Sequence, residues 1–257
     1  MPASLANNKA MREAVLARVR SALGKTDRTA ARAQAEAYVA AHAHGPRPAM
    51  PADLVGRFIG RATDMQSSVE RIADRGAIAP AVARYLAGLD LAPELASQPA
   101  LGAPPSALRA PPSALRAPPS APRASPSSKA GVCWPEFADL DWGSVGLSVE
   151  ARPTTGDDRL GITGTFCAIA ETGTLVVLTG ADTPTATTLL PETHVAVVRA
   201  DRIVSGMEEA FDLVRRERGR LPRAVNLISG PSRTGDIEQT IVLGAHGPFR
   251  VHILVLG

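Results

Sequence analysis

Aromatic residues are scarce in this chain. Its 257 residues hold five Phe, two Trp and two Tyr, 4% of the total. A hydrophobic fraction of 45% still supports a sizeable core, which must be aliphatic, built from Ala, Val, Leu and Ile. The stacking platforms used for single-stranded nucleic acid are missing. Lysine is scarcer still: three residues, with arginine supplying the remaining positive charge. Beside so much alanine, that pattern reads as a coding bias of the genome more than a binding surface. Cysteine occurs twice, as Cys133 and Cys167, with no CxxC spacing. A self-contained iron–sulfur cluster needs about four thiolate ligands, so the chain has too few for one. A disulfide framework is excluded too, and plain burial is the favoured reading of both thiols. No cysteine–histidine set has zinc-ligand spacing, and no metal site is expected. No apolar run approaches membrane-spanning length, and the first residues lack a charged-then-apolar signal pattern. A soluble cytoplasmic protein, with no transmembrane segment, is the expectation.

The formal net charge of +3 divides unevenly. Residues 1–98 carry a net of +4, residues 99–130 another +4, and residues 131–257 a net of −5. The C-terminal part is acidic, so nucleic acid is not an expected partner. Three regions follow from composition. Residues 1–98 read as an N-terminal helical region. Helical spacing runs over 7–23, 29–44, 65–75 and 80–89, with a short strand near Phe58. Residues 99–130 are a Pro/Ala/Ser-rich linker. Within it, 103–123 read APPSALR, APPSALR, APPSAPR, and the paired prolines forbid a continuous helix. An extended, disordered linker is expected, and a tolerated loop insertion is favoured over a docking segment.

From Gly131 onward, strands alternate with helices. Strands are expected at 145–150, 166–170, 174–179, 194–199, 224–229 and 251–256, and helices at 206–218 and 234–243. That alternation predicts an α/β fold with a mainly parallel sheet, binding its ligand beyond the carboxyl ends of the strands.

Three short motifs carry candidate chemistry. "ISGPSRTGDIEQT" (Ile228 to Thr240) reads as a strand, a small-residue turn and a helix start. Ser232 or Thr234 would cap that helix, and Arg233 could clamp an oxyanion. Asp236 and Glu238 would already occupy its positive end, so plain capping has a slight edge over anion binding. In "AETGT" (Ala170 to Thr174), Glu171 follows an apolar run, a setting that suits an acid, base or nucleophile. The bland alternative is a turn, with Gly173 allowing positive φ and Thr172 bonding locally. "LGAHGP" (Leu243 to Pro248) offers His246 as a proton donor, against a simple cap at Gly244. "GITGT" (Gly161 to Thr165) adds a flexible hydroxyl-bearing segment. Asp157 and Asp158 read as solvated, and His194 as a strand residue.

The stretches "GITGTFCAIAETGTLVVLTG", "LLPETHVAVVRADRIV", "NLISGPSRTGDIEQTIVLGAHGP" and "HILVL", in this order and spacing, resemble the lactate-utilization protein C family of the LUD-domain group. The resemblance covers residues 131–257, and more loosely the N-terminal helices; the repeat departs from the family pattern. It implies a fold similar to the sugar-phosphate isomerase/CoA-transferase (NagB/RpiA-like) superfamily. It further implies a part in oxidising L-lactate to pyruvate, shared with two companion proteins that carry iron–sulfur clusters. This chain would then be an accessory or substrate-handling subunit with no cofactor of its own. The expected cleft is lined by Thr163, Glu171, Thr172, Gly173, Ser229, Gly230, Ser232, Arg233, Thr234, Asp236, Glu238 and His246. Glu171 is the candidate catalytic group and Arg233 the clamp for a small carboxylate. The alternative is a stand-alone acyl-CoA or nucleotide-dependent transferase or ligase of the same fold, in which the "ETG" glutamate would be the nucleophile.

Overall fold

The computed structural model describes residues 3–24, 29–41, 45–90, 129–235, 241–243 and 247–257. The repeat at 103–123 lies outside them. The chain divides into two compact units, Met1–Pro48 and Ala49–Gly257. The first holds two helices, α1 (Ala3–Ala22) and α2 (Thr29–Ala41). No described helix is long and apolar enough to cross a membrane.

The second unit is α/β, as the alternation predicts. Its main sheet has six strands in the order β1-β12-β7-β4-β2-β3. These are β1 (Ser68–Ile72), β2 (Ala130–Cys133), β3 (Ser148–Ala151), β4 (Leu160–Thr163), β7 (Thr193–Arg199) and β12 (Arg250–Leu256). Every pairing is parallel. A parallel sheet is covered on both faces, so its central strands are apolar almost throughout. Accordingly β4 is buried along its length, and β7 along all but its last residue. A second sheet runs β8-β5-β6-β9, built of β5 (Cys167–Ile169), β6 (Thr174–Leu178), β8 (Ile203–Val204) and β9 (Val225–Ile228). Helix α6 (Met207–Arg218) packs on it through Ala210, Leu213 and Val214.

Three local expectations are corrected. Phe58 is not in a strand. It lies in α3 (Leu54–Asp64), fully buried, where Leu54, Val55, Phe58, Ile59 and Ala62 form one apolar face. Asp53 caps this helix, accepting from the Gly56 N–H at 2.8 Å. Residues 65–75 form no α-helix: Ser68–Ile72 is the edge strand β1, parallel to β12. α3, β1 and α4 (Ile78–Asp90) thus belong to the same compact unit as the rest of the sheet, although they lie within the 1–98 region. The third correction falls on the opening motif. Arg233–Gly235 is a strand, β10, antiparallel to β11 (Ile241–Leu243), where a helix over 234–243 was expected. Thr234, Ile241 and Val242 are β-branched and suit extended backbone, while Gly235 weakens a helix. With no helix starting at Thr234, an anion site resting on a helix N-terminus there has no structural basis.

Candidate functional site

Two of the sequence motifs meet at the end of α3. Strands β5 and β6 are joined by a tight turn, Ala170 to Gly173, in which the Gly173 N–H returns to the Ile169 carbonyl at 3.0 Å. Gly173 has φ +68°, and a side chain there would stand 2.4 Å from the Ala62 backbone nitrogen. From the other motif, Gly230 follows β9 with φ +81°, and a side chain would stand 2.1 Å from the Met65 carbonyl oxygen. Both glycines let the chain approach the α3 backbone more closely than any side chain allows.

That close approach aligns a row of hydroxyls. Thr172 Oγ1 and Thr174 Oγ1 lie 2.7 Å apart, and Thr174 Oγ1 and Ser229 Oγ also 2.7 Å. Thr174 is buried between two exposed neighbours. Three hydroxyls carry three protons, and two hydrogen bonds use only two of them. Where Thr174 donates to one of its neighbours, that neighbour, Thr172 or Ser229, keeps its own O–H free to donate outward. Glu171 stands half-buried beside the row, its backbone N–H bonded to the Ser205 carbonyl at 3.0 Å.

The structure thus brings together Glu171, Thr172, Gly173, Ser229 and Gly230. Ser232 is half-buried and donates its backbone N–H to the Pro248 carbonyl at 2.9 Å. Arg233 is exposed at the head of β10, and Thr234 is the next residue of that strand, opposite Val242. Asp236, Glu238 and His246 lie outside the described residues. Thr163 is in a different setting. Fully buried on β4, it holds its Oγ1 2.8 Å from His194 Nε2. His194 is a strand residue, as its context suggests, and burial lowers its pKa from 6.5 to about 4. Asp158 accepts two hydrogen bonds from Arg152 and one from Thr154, which hold its carboxyl below the usual range.

One group at the carboxyl rim of the main sheet went unread in the sequence. Glu136 follows β2, in the short turn Pro135–Phe137, and its carboxylate lies against Gly164, just past β4, whose backbone N–H acts to lower its pKa. A side chain on Gly164 would stand 2.0 Å from Glu136 Oε1, so the carboxylate holds this seat only beside a glycine. Arg75, just beyond β1, donates to the Glu136 carbonyl and, at 2.5 Å, to Asp139 Oδ1. Loss of hydration raises the Glu136 pKa; the Gly164 N–H and Arg75 oppose that only in part. The only signal in the sequence was the second glycine of "GITGT", which says nothing of its distant partner. Gly164→Ala should push the carboxylate into solvent, since the far end of a flexible side chain yields cheaply. The Glu136 pKa then falls toward the ordinary glutamate range, with stability reduced by about 1 kcal/mol or less. Carbon-13 titration of the carboxyl measures this, and an unmoved midpoint contradicts the cradle.

Residues 137–256 match the family model described as the LUD domain. Lactate utilization protein C of Bacillus subtilis (strain 168) is 35% identical over 128 residues, covering 45% of this chain and 53% of that protein. Its namesake in Anoxybacillus flavithermus is 35% identical over 98 residues, 38% of this chain and 44% of that one. Through this region the chain is similar to proteins named lactate utilization protein C, and it spans about half the length of the curated relatives it matches. A DUF162 family protein of Deinococcus radiodurans, known from a crystal structure, aligns with a TM-score of 0.49 and 22% identity, over 82% of this chain and 100% of that one.

Proposed function

We propose that this chain serves L-lactate utilization, as the accessory or substrate-handling subunit of an iron–sulfur-dependent system that oxidises L-lactate to pyruvate. The observation that carries the reading is the 35% identity, through the LUD region, to proteins named lactate utilization protein C. The thiols agree with a division of labour. Cys133 and Cys167 are buried, and loss of hydration pushes them up to about 11 and about 12. Two cysteines are also fewer than the about four thiolates a cluster needs, and in this reading the clusters belong on the two companion proteins. In this reading the exposed Arg233 guanidinium clamps the carboxylate of lactate. Glu171 and the adjacent hydroxyl row orient the lactate hydroxyl or receive its proton.

The test is co-purification with two cluster-bearing companions, followed by lactate-dependent dye reduction with and without this chain. Omitting the chain should abolish the reduction. Arg233→Gln and Glu171→Gln should each lower it by roughly tenfold or more while the complex still assembles. Full dye reduction without the chain, or undiminished growth on L-lactate after gene deletion in a strain with no paralogue, overturns the proposal. Thermal stabilisation by a CoA ester and not by lactate would point instead to the transferase of the same fold.

A further inference from the structure

A second charged feature lies away from the hydroxyl row, at the carboxyl end of α6. Two guanidinium groups stack over one ring: Arg202 lies 4.8 Å and Arg218 5.6 Å from the Phe166 centroid. Their edges differ sharply. Arg202 donates to the Phe166 carbonyl at 3.0 Å and to both Glu217 oxygens at 2.6 and 2.9 Å. Arg218 has no hydrogen-bond acceptor and no ion pair among the described residues. The ring face holds the Arg218 guanidinium beside it and leaves its N–H groups without an acceptor among the described residues.

Arg218 lines a concavity of about 400 Å³ between the loop after β6 and the segment joining α6 to β9. Arg220, Thr179, Thr183, Leu221 and Pro222 line it as well. Arg220 also has no acceptor among the described residues. A helix dipole explains arginines in the last turn of α6, but Arg220 stands beyond Gly219, whose φ of +68° ends the helix. Asp182 lines the same concavity and pairs with neither arginine, so both guanidinium edges stay open.

We infer that this concavity is a binding site for a small organic oxyanion, a carboxylate or a phosphate ester. Arg218 is its oriented clamp, Arg220 its second cation, and Leu221 and Pro222 contact the apolar part of the ligand. A planar guanidinium with free parallel N–H groups matches either oxyanion. The volume falls in the range of small-molecule sites. Asp182 opposes the anion and limits its affinity. The inference uses none of the residues assigned to lactate handling, so either reading can fail without the other.

The test follows the Arg218 Nε–Hε resonance of the full chain on titration with inorganic phosphate and, separately, with pyruvate. At least one should bind in the millimolar range. Arg218→Gln should weaken that binding roughly tenfold or more, and Asp182→Asn should tighten it several-fold. Arg216→Gln, which removes an exposed arginine outside the concavity, should leave it unchanged. Response to phosphate alone assigns the site to phosphate esters, and response to pyruvate alone to carboxylates. If neither probe shifts the resonance, or if Arg218→Gln binds as tightly as the native chain, the inference is overturned.

Discussion

Lowering the pH from 7 to 4 should remove most of the stability of the α/β unit, and two buried histidines should account for the loss. Burial lowers His194 and His252 each from 6.5 to about 4. His194 is fully buried, with Nε2 on Thr163 and Nδ1 unpartnered among the described residues. His252 has Nδ1 2.8 Å from Ser68 Oγ, its ring stacked 4.0 Å from Tyr85, and a buried, unpartnered Nε2. Glu70 draws the His252 pKa upward, but less than burial pushes it down. Both rings are therefore neutral in the folded chain where the unfolded chain would protonate them. Between pH 6.5 and 4 the unfolded state binds more protons, so stability falls as pH falls. The contribution is complete above pH 6.5 and gone below about 4. Each shift corresponds to roughly 3 kcal/mol. Two such terms rival a typical domain stability of about 5–15 kcal/mol. Asp158 and Glu217, held low by Arg152 and Arg202, also weaken the fold in acid, but only below the ordinary carboxylate range. Urea denaturation at pH 7, 5.5 and 4.5 measures the slope. His194→Gln and His252→Asn should each flatten it, whatever their effect at pH 7. A slope unchanged in both variants would contradict the assignment.

The strands that carry these histidines were legible because β7 and β12 are apolar almost end to end. The hairpin at "ETG" and helix α6 were equally plain, since each declares itself within a dozen residues. Strand β1 was not. Its partner, β12, is distant in the chain, and only Ile72 of its own residues is buried. Tertiary pairing overrides such a weak local pattern. The 234–243 stretch failed differently. Its apolar spacing suits a helix, but its β-branched residues pair across a hairpin. The candidate site divides along the same line. Thr172, Gly173, Ser229 and Gly230 sit in turns whose chemistry is local, and the structure brings the four together at α3. Glu136 and Arg218 acquire their settings from partners elsewhere in the chain, Gly164 for one and the Phe166 ring for the other. Neither setting leaves a mark on the flanking sequence.

Gly173→Ala and Gly230→Ala should be the most damaging of the small substitutions, and their cost comes from two separable sources. A side chain at positive φ costs about 1–2 kcal/mol in itself. The added carbon would then meet backbone of α3 or of the residue that caps it, the Ala62 nitrogen at 2.4 Å and the Met65 oxygen at 2.1 Å. Backbone in a helix anchored by the buried Phe58 and Ala62 cannot swing aside as a side-chain tip can. Relieving such overlap costs about 1–3 kcal/mol more. Each variant should therefore lose roughly 2–5 kcal/mol, a large share of the total. Gly146→Ala separates the sources: its φ is +74°, with nothing within 4 Å of the added carbon, so only the backbone part applies. Because both turns press on the same end of α3, the double variant should lose less than the sum, once the first has pushed the helix away. Displacing either turn should also part Ser229 from Thr174 and break the hydroxyl row. Urea midpoints of the three single variants and the double give the comparison. If Gly173→Ala and Gly230→Ala cost no more than Gly146→Ala, the tight seating of both motifs on α3 is wrong, and with it the geometry that assembles the row.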